Sequence, residues 1–192
     1  MAFECALGFA AIGIGWLMGQ SPLVGVSFAS DEASRQQVVA VGWGLVATGP
    51  LLVVLYFCER FPIGPLRGLN EMTNSVVARM FGGATAGQLL AVAIAAGWGE
   101  ELLFRGLVQG AISQWVSDWP GQVAAILIAS VLFGLCHWLN KTYAFLAMLA
   151  GAYFGLLLLL TGNILAPIIA HAAYDFLALV YLLHPDSLLG SE

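Results

Sequence analysis

Charge is what this chain lacks. Of its 192 residues only 9% are Asp, Glu, Lys or Arg, whereas 60% are hydrophobic. A soluble domain carries about 25% charged residues, so this chain cannot cover a water-facing surface, and the bilayer is the alternative solvent. Basic residues are the scarcest, six Lys and Arg against eleven Asp and Glu, for a net charge of −5. No basic stripe is available to neutralise phosphates, which removes nucleic acid as an expected partner. Cysteine is also scarce. Cys5, Cys58 and Cys136 lie in apolar runs and form no C-x-x-C pair. They read as small hydrophobic fillers, not as a disulfide framework or zinc knuckle. The N-terminus lacks the Lys/Arg-rich start of a signal peptide, and Glu4 stands where a positive charge would be expected. The first apolar segment is therefore read as a retained helix.

What the chain has is long apolar runs. A spanning helix needs roughly 20 mostly apolar residues. Six segments qualify, at about 2–19, 37–58, 87–113, 121–139, 143–161 and 164–184. The expected fold is all-α: a polytopic transmembrane bundle of about six spans, one membrane domain over residues 1–192. Pro50 and Pro167 should kink their helices or mark a neighbour that satisfies the freed carbonyls. Between the second and third spans, Leu66, Leu69, Met72, Val76 and Met80 recur at three and four. This stripe predicts an amphipathic helix lying in the membrane interface, with a soluble loop helix as the plainer alternative. Arg60, Arg67 and Arg79 share that loop, and Lys141 follows the fourth span. Basic short loops are cytoplasmic, so both termini are predicted to face the cytoplasm. Gly106 and Gly110, and Gly151 and Gly155, have the G-x-x-x-G spacing that lets helices approach closely in lipid.

Against this background the buried charges stand out, because each costs several kcal/mol or more at the bilayer centre. The third span carries Glu100, Glu101 and Arg105, with Leu102, Leu103 and Phe104 between them. Glu101 and Arg105 are four apart on one helix face, where the guanidinium fork can hold the carboxylate in a bidentate pair. Glu100 is rotated by about 100° and lacks that partner. An unpaired carboxylate in a dry site is able to take a proton from water near neutral pH, as a general base must. The fourth span supplies His137, with Phe133 one turn earlier on the same face. The sixth supplies His171 and Asp175, again four apart. Asp175 can fix the imidazole tautomer, leaving the other ring nitrogen free for substrate, water or metal. Taken singly, each feature has a structural reading: a satisfied core histidine, a helix-locking ion pair. His184, beside Pro185, reads as interfacial. Together, three helices bring ionisable groups into a medium that penalises every one of them.

Three patterns in order carry a resemblance. Gly99-Glu100-Glu101-Leu102-Leu103-Phe104-Arg105-Gly106 matches E-E-x-x-x-R, Phe133-Gly134-Leu135-Cys136-His137 matches F-x-x-x-H, and His171-Ala172-Ala173-Tyr174-Asp175 resembles H-x-x-x-N/D. The chain thus resembles the CAAX-protease and bacteriocin-processing (CPBP) family of intramembrane proteases over about residues 87–184. Residues 1–86 are less specific. The resemblance implies a polar cavity in a helical bundle and hydrolysis of a peptide bond there, in a membrane-associated protein or peptide. Glu100 would be the general base, helped by His137. His171 would polarise the carbonyl, with Asp175 where the family often has Asn, and Arg105 and Phe133 would give structural support. An ionised Asp cannot donate to an oxyanion as Asn can. Glu101 stays open as the base if the helix is turned by one position. A metal-free glutamate mechanism without cofactor is favoured. Zinc held by Glu100, His137 and His171 is the alternative. A non-catalytic scaffold or immunity factor on the same fold, and a proton-coupled transporter, remain the competing functions.

Overall fold

Local signals divide the chain into helices. The computed structural model describes residues 1–116 and 118–183, which are helical without a strand among them. The helices are α1 (Ala2–Leu17), α2 (Asp31–Arg60), α3 (Pro65–Phe81) and α4 (Ala86–Glu101). A π-helical segment (Leu102–Gln109) runs on into α5 (Gly110–Trp115), and α6 (Trp119–Cys136), α7 (Lys141–Thr161) and α8 (Leu165–Leu183) follow. Side chains that accept from otherwise orphaned backbone donors set several starts. Ser30 caps α2, Asp118 caps α6 and Asn140 caps α7. Thr85 and Gln88 form a reciprocal capping box at α4. Gly162 ends α7 in the left-handed conformation, at φ 62°. His184 and Pro185 lie outside the described residues.

The chain is an integral membrane protein. Four helices, α2, α6, α7 and α8, are long and apolar enough to cross a bilayer, or five spans if α3 and the rod Ala86–Trp115, bent by 112°, count as one. The difference from about six has two causes. The rod holds Glu100, Glu101 and Arg105, which lower its hydropathy, and α1 has only 16 residues. Large side chains such as Val38, Val46, Trp16 and Leu160 are exposed on the outside, where lipid takes the place of water. Cys136 is exposed and Cys5 and Cys58 are half-buried, all three unpaired.

α6 and α7 form a hairpin, α8 packs on α2 and α4, and α1 crosses α4 and the π segment. Small residues permit these approaches. A Cβ on Gly97 would stand 2.9 Å from the Ala172 nitrogen and the Ile168 oxygen of α8. Pro50 removes the donor that would serve the Val46 carbonyl, and one residue on, the Ala47 carbonyl accepts the Tyr153 hydroxyl at 2.9 Å. Pro167 causes no break, because it lies in the first turn of α8, where its missing N–H has no intrahelical partner. The loop before α2 is pinned by Asn163, whose amide donates to the Gly25 carbonyl at 3.0 Å and to Gln37 Oε1 at 2.8 Å. The stripe on α3 is helical as predicted, with Leu69 buried, Leu66, Met72 and Val76 half-buried and Met80 left exposed.

The α4–α8 approach can be tested directly. Gly97→Ala should cost about 1–3 kcal/mol through overpacking, read as a lower melting temperature in detergent. Gly13→Ala, where nothing lies within 4 Å of the added carbon, should leave the midpoint unchanged.

Candidate active site

The charged residues of α4 sit where the helix changes register. Glu101 closes the α-helical part, and the next eight residues form the π segment, whose i→i+5 pairing widens the turn. Arg105 and Gln109 then both face the α6–α7 hairpin. The Arg105 guanidinium lies 4.4 Å from the ring centre of Phe133 on α6 and 5.6 Å from that of Phe154 on α7. The Gln109 amide donates to the Gly155 carbonyl at 3.1 Å.

Glu101 and Arg105 are both fully buried, with 3.2 Å between Arg105 Nε and Glu101 Oε2. The expected bidentate fork does not form. Among the described residues Nη1 and Nη2 have no hydrogen-bond partner, and π-faces surround the guanidinium instead. The reason is that the other carboxylate oxygen is taken. Glu101 Oε1 accepts from His171 Nδ1 at 2.7 Å. His171, expected to keep one nitrogen free, therefore has carboxylates at both. Its Nε2 faces Asp175 Oδ2 at 3.5 Å. Phe154 stacks on the His171 ring at 5.0 Å between centres and 11° between planes.

Glu100 points elsewhere. Its Oε2, itself buried, lies 3.4 Å from His137 Nε2, and the two side chains are 12% and 23% exposed, against none for Glu101 and Arg105. The carbonyl of Phe133, 2.8 Å from His137 Nδ1, can only accept. Nδ1 therefore carries a proton, and Nε2 is the nitrogen presented to Glu100. Phe133 stacks on His137 at 4.3 Å and meets Phe104 edge-on at 5.2 Å. It thus touches the supports of both pairs. Glu4, which stands where a signal peptide would carry a positive charge, comes close as well. Its backbone carbonyl packs on Gly99, and its buried Oε2 has no hydrogen-bond partner among the described residues.

The depth of His137 follows from the hairpin. α6 stops at Cys136 and α7 starts at Lys141. From Glu100, α4 reaches back about 21 Å to Ala86, and from Asp175, α8 runs about 12 Å on to Leu183, at ~1.5 Å per residue. The hairpin turn is thus sunk below the ends of its neighbours, and the fourth span does not continue past Asn140. α3 lies over this turn, where Met72 sulfur accepts from the Asn140 amide at 3.3 Å.

All five expected catalytic positions are brought together in two adjoining groups, with Arg105 and Phe133 between them. Phe154 and Gly151 escaped the sequence reading. Gly151 was assigned to helix packing, and only its spacing from Gly155 hinted at close approach. The zinc alternative fits poorly. Among the described residues no three His, Cys, Asp or Glu side chains converge as metal ligands, and His171 Nε2 would have to leave Asp175 to join Glu100 and His137.

Comparison with known proteins gives one match. The family model "type II CAAX prenyl endopeptidase Rce1-like" matches residues 82–177, half of the chain. No curated protein and no solved structure matches.

The buried pair predicts its own energetics. Arg105→Met leaves Glu101 uncompensated and should destabilise the protein by about 3–5 kcal/mol, measured by reversible denaturation in mixed micelles. Adding Glu101→Gln should recover part of that loss, and strict additivity of the two substitutions would contradict the pairing.

Proposed function

The chain belongs to the Rce1-like family of type II CAAX prenyl endopeptidases, and from that premise we propose that it hydrolyses a peptide bond of a membrane-associated protein or peptide with a water activated by Glu100. The observation that carries the reading is the division between the two glutamates. Glu101 is occupied by Arg105 and His171, whereas among the described residues Glu100 pairs with His137 and with no fixed cation, and its side chain is partly accessible. An engaged carboxylate holds a fold together, and a free one can take a proton.

In the proposed reaction the water oxygen attacks the scissile carbonyl carbon and its proton passes to the Glu100 carboxylate. His171, with a carboxylate at each ring nitrogen, acts here as the doubly protonated imidazolium, and its Nε2–H donates to the oxyanion that forms, once substrate has moved Asp175 aside. Asp175 is about a third exposed and sits on the longer of the two His171 contacts. The C–N bond then breaks, and the leaving amine takes the proton from the Glu100–His137 pair. Arg105 stays behind Glu101 and supplies no group to the substrate. The reading is metal-free, since among the described residues no three His, Cys, Asp or Glu side chains are placed together as ligands. A non-catalytic scaffold would have no need for the accessible Glu100–His137 pair.

The cytoplasmic placement of both termini remains part of the proposal, and it puts the sunken α6–α7 turn, and hence the entrance, on the cytoplasmic side. Single cysteines replacing Arg67 and Gln122 in a cysteine-free background test it in oriented vesicles. Labelling of position 67 from the cytoplasmic side and of 122 from the other is expected, and the reverse pattern would invert the topology.

The catalytic reading is tested with a panel of membrane-protein and peptide substrates in liposomes. Glu100→Gln should reduce cleavage by about 10²–10⁴-fold, the range for loss of a general base, with the melting temperature unchanged. A strong chelator should have no effect on the wild type. Equal cleavage by wild type and Glu100→Gln would remove Glu100 from the mechanism, and loss in chelator with recovery in zinc would replace the glutamate reading by a metal one.

A further inference from the structure

α7 carries none of the three motifs, and Tyr143 brings it only to the His137 side of the cluster, at 6.3 Å between rings, yet two further residues of α7 touch the cluster's buried half. A Cβ on Gly151 would lie 3.0 Å from Arg105 Nη2, 3.2 Å from the Ser130 Cα and 3.3 Å from the Ser130 Cβ. Three residues on, so on the same helix face, Phe154 stacks on His171 and also flanks the Arg105 guanidinium. A crowded arginine end ordinarily swings away at little cost. Here it cannot, because Phe104, Phe133 and Phe154 stand around it at 5.8, 4.4 and 5.6 Å, and the residue is fully buried.

We propose that the Gly151–Phe154 face of α7 is the positioning element of the site, setting where Arg105 holds Glu101 and how His171 presents its ring. Gly151 supplies the space the guanidinium needs. Displacing Arg105 by a fraction of an ångström draws Glu101 with it, and Glu101 Oε1 is the fixed point from which His171 is oriented at 2.7 Å. Phe154 restrains the same ring from its face, leaving rotation in the plane of the stack as the ring's remaining freedom. Neither residue touches substrate. The role therefore rests on the reading of His171 as the group that meets the oxyanion, but the geometry can be measured without any substrate.

The test is a double-mutant cycle on the full chain in lipid nanodiscs, with ¹⁵N-labelled histidine. Wild type should show a downfield His171 Nδ1–H resonance from the short bond to Glu101. Gly151→Ala should lose it, whereas Arg105→Lys, which removes Nη2, should keep it and should protect it when combined with Gly151→Ala. A packing role for Gly151 alone predicts the opposite, since the Ser130 contact is present in both backgrounds. If Gly151→Ala does not fold, Phe154→Leu carries the same readout, as it removes the stacked ring and keeps an apolar side chain of helix-forming type. On a cleaved substrate, Gly151→Ala should lower kcat by up to about 100-fold, the scale of a small misplacement, with KM unchanged. A resonance that persists in Gly151→Ala, or in Phe154→Leu, overturns the proposal. Resonance changes as expected with no cleavage by wild type would leave the positioning geometry intact and count against the protease reading instead.

Discussion

A cation that cannot reach water must be balanced inside its own fold, and in this protein that cation is Arg105. Burying one member of an ion pair costs several kcal/mol, repaid only with close geometry and further partners. Much of the surrounding architecture can be traced to that demand. Glu101 supplies the countercharge from one turn earlier, the π segment turns the guanidinium toward the α6–α7 hairpin, and three phenylalanines provide π-faces where hydrogen-bond acceptors are missing. Gly151 leaves room for the guanidinium, and Gly97 lets α8 come close enough for His171 to bind the second oxygen of Glu101. Each of these features is intelligible only when the buried arginine is taken as given.

That arrangement also explains why two adjacent glutamates are useful. Successive helix residues point about 100° apart, so a doublet addresses two neighbours from a single turn. Glu101 addresses α8 through His171 and Glu100 addresses α6 through His137. A single glutamate would have to choose between compensating Arg105 and remaining available to a proton. On the proposed reading the first carboxylate reacts and the second holds the frame in which it reacts.

The membrane class was legible in the sequence, and so were the members of the candidate cluster, because lipid makes charge rare, so that Glu100, Glu101, Arg105, His137, His171 and Asp175 stand out from an apolar chain. The helical stripe over Leu66–Met80 was legible for a related reason, a period of three and four. What was not legible were the apolar contributors. Phe154 and Gly151 lie in a run of Leu, Ala and Gly that predicts a span and nothing further, and their role depends on which neighbour faces them. The second contact of His171 was missed because i,i+4 spacing reveals partners within a helix, such as Asp175, but not across helices, such as Glu101. The span count slipped at α1 and at the rod bearing the charges, where function and hydropathy pull in opposite directions.

The depth of the site has a consequence for how a peptide bond could be presented. A backbone in a spanning helix has its carbonyls hydrogen-bonded within the helix, and leaving one unsatisfied in hydrocarbon is costly. A scissile bond is therefore most easily offered as extended chain, in a place that water can also enter. On the proposed reading the short α6–α7 turn is that place, because α6 ends at Cys136 and sets His137 beside Glu100. α3 reaches across the same opening through Met72 and Asn140, and its exposed Arg67 and Arg79 lie on the side where the basic residues gather. On the proposed reading the same short hairpin that places a histidine beside Glu100 also sets the side from which substrate and water approach, so lengthening α6 would move the histidine and the approach together.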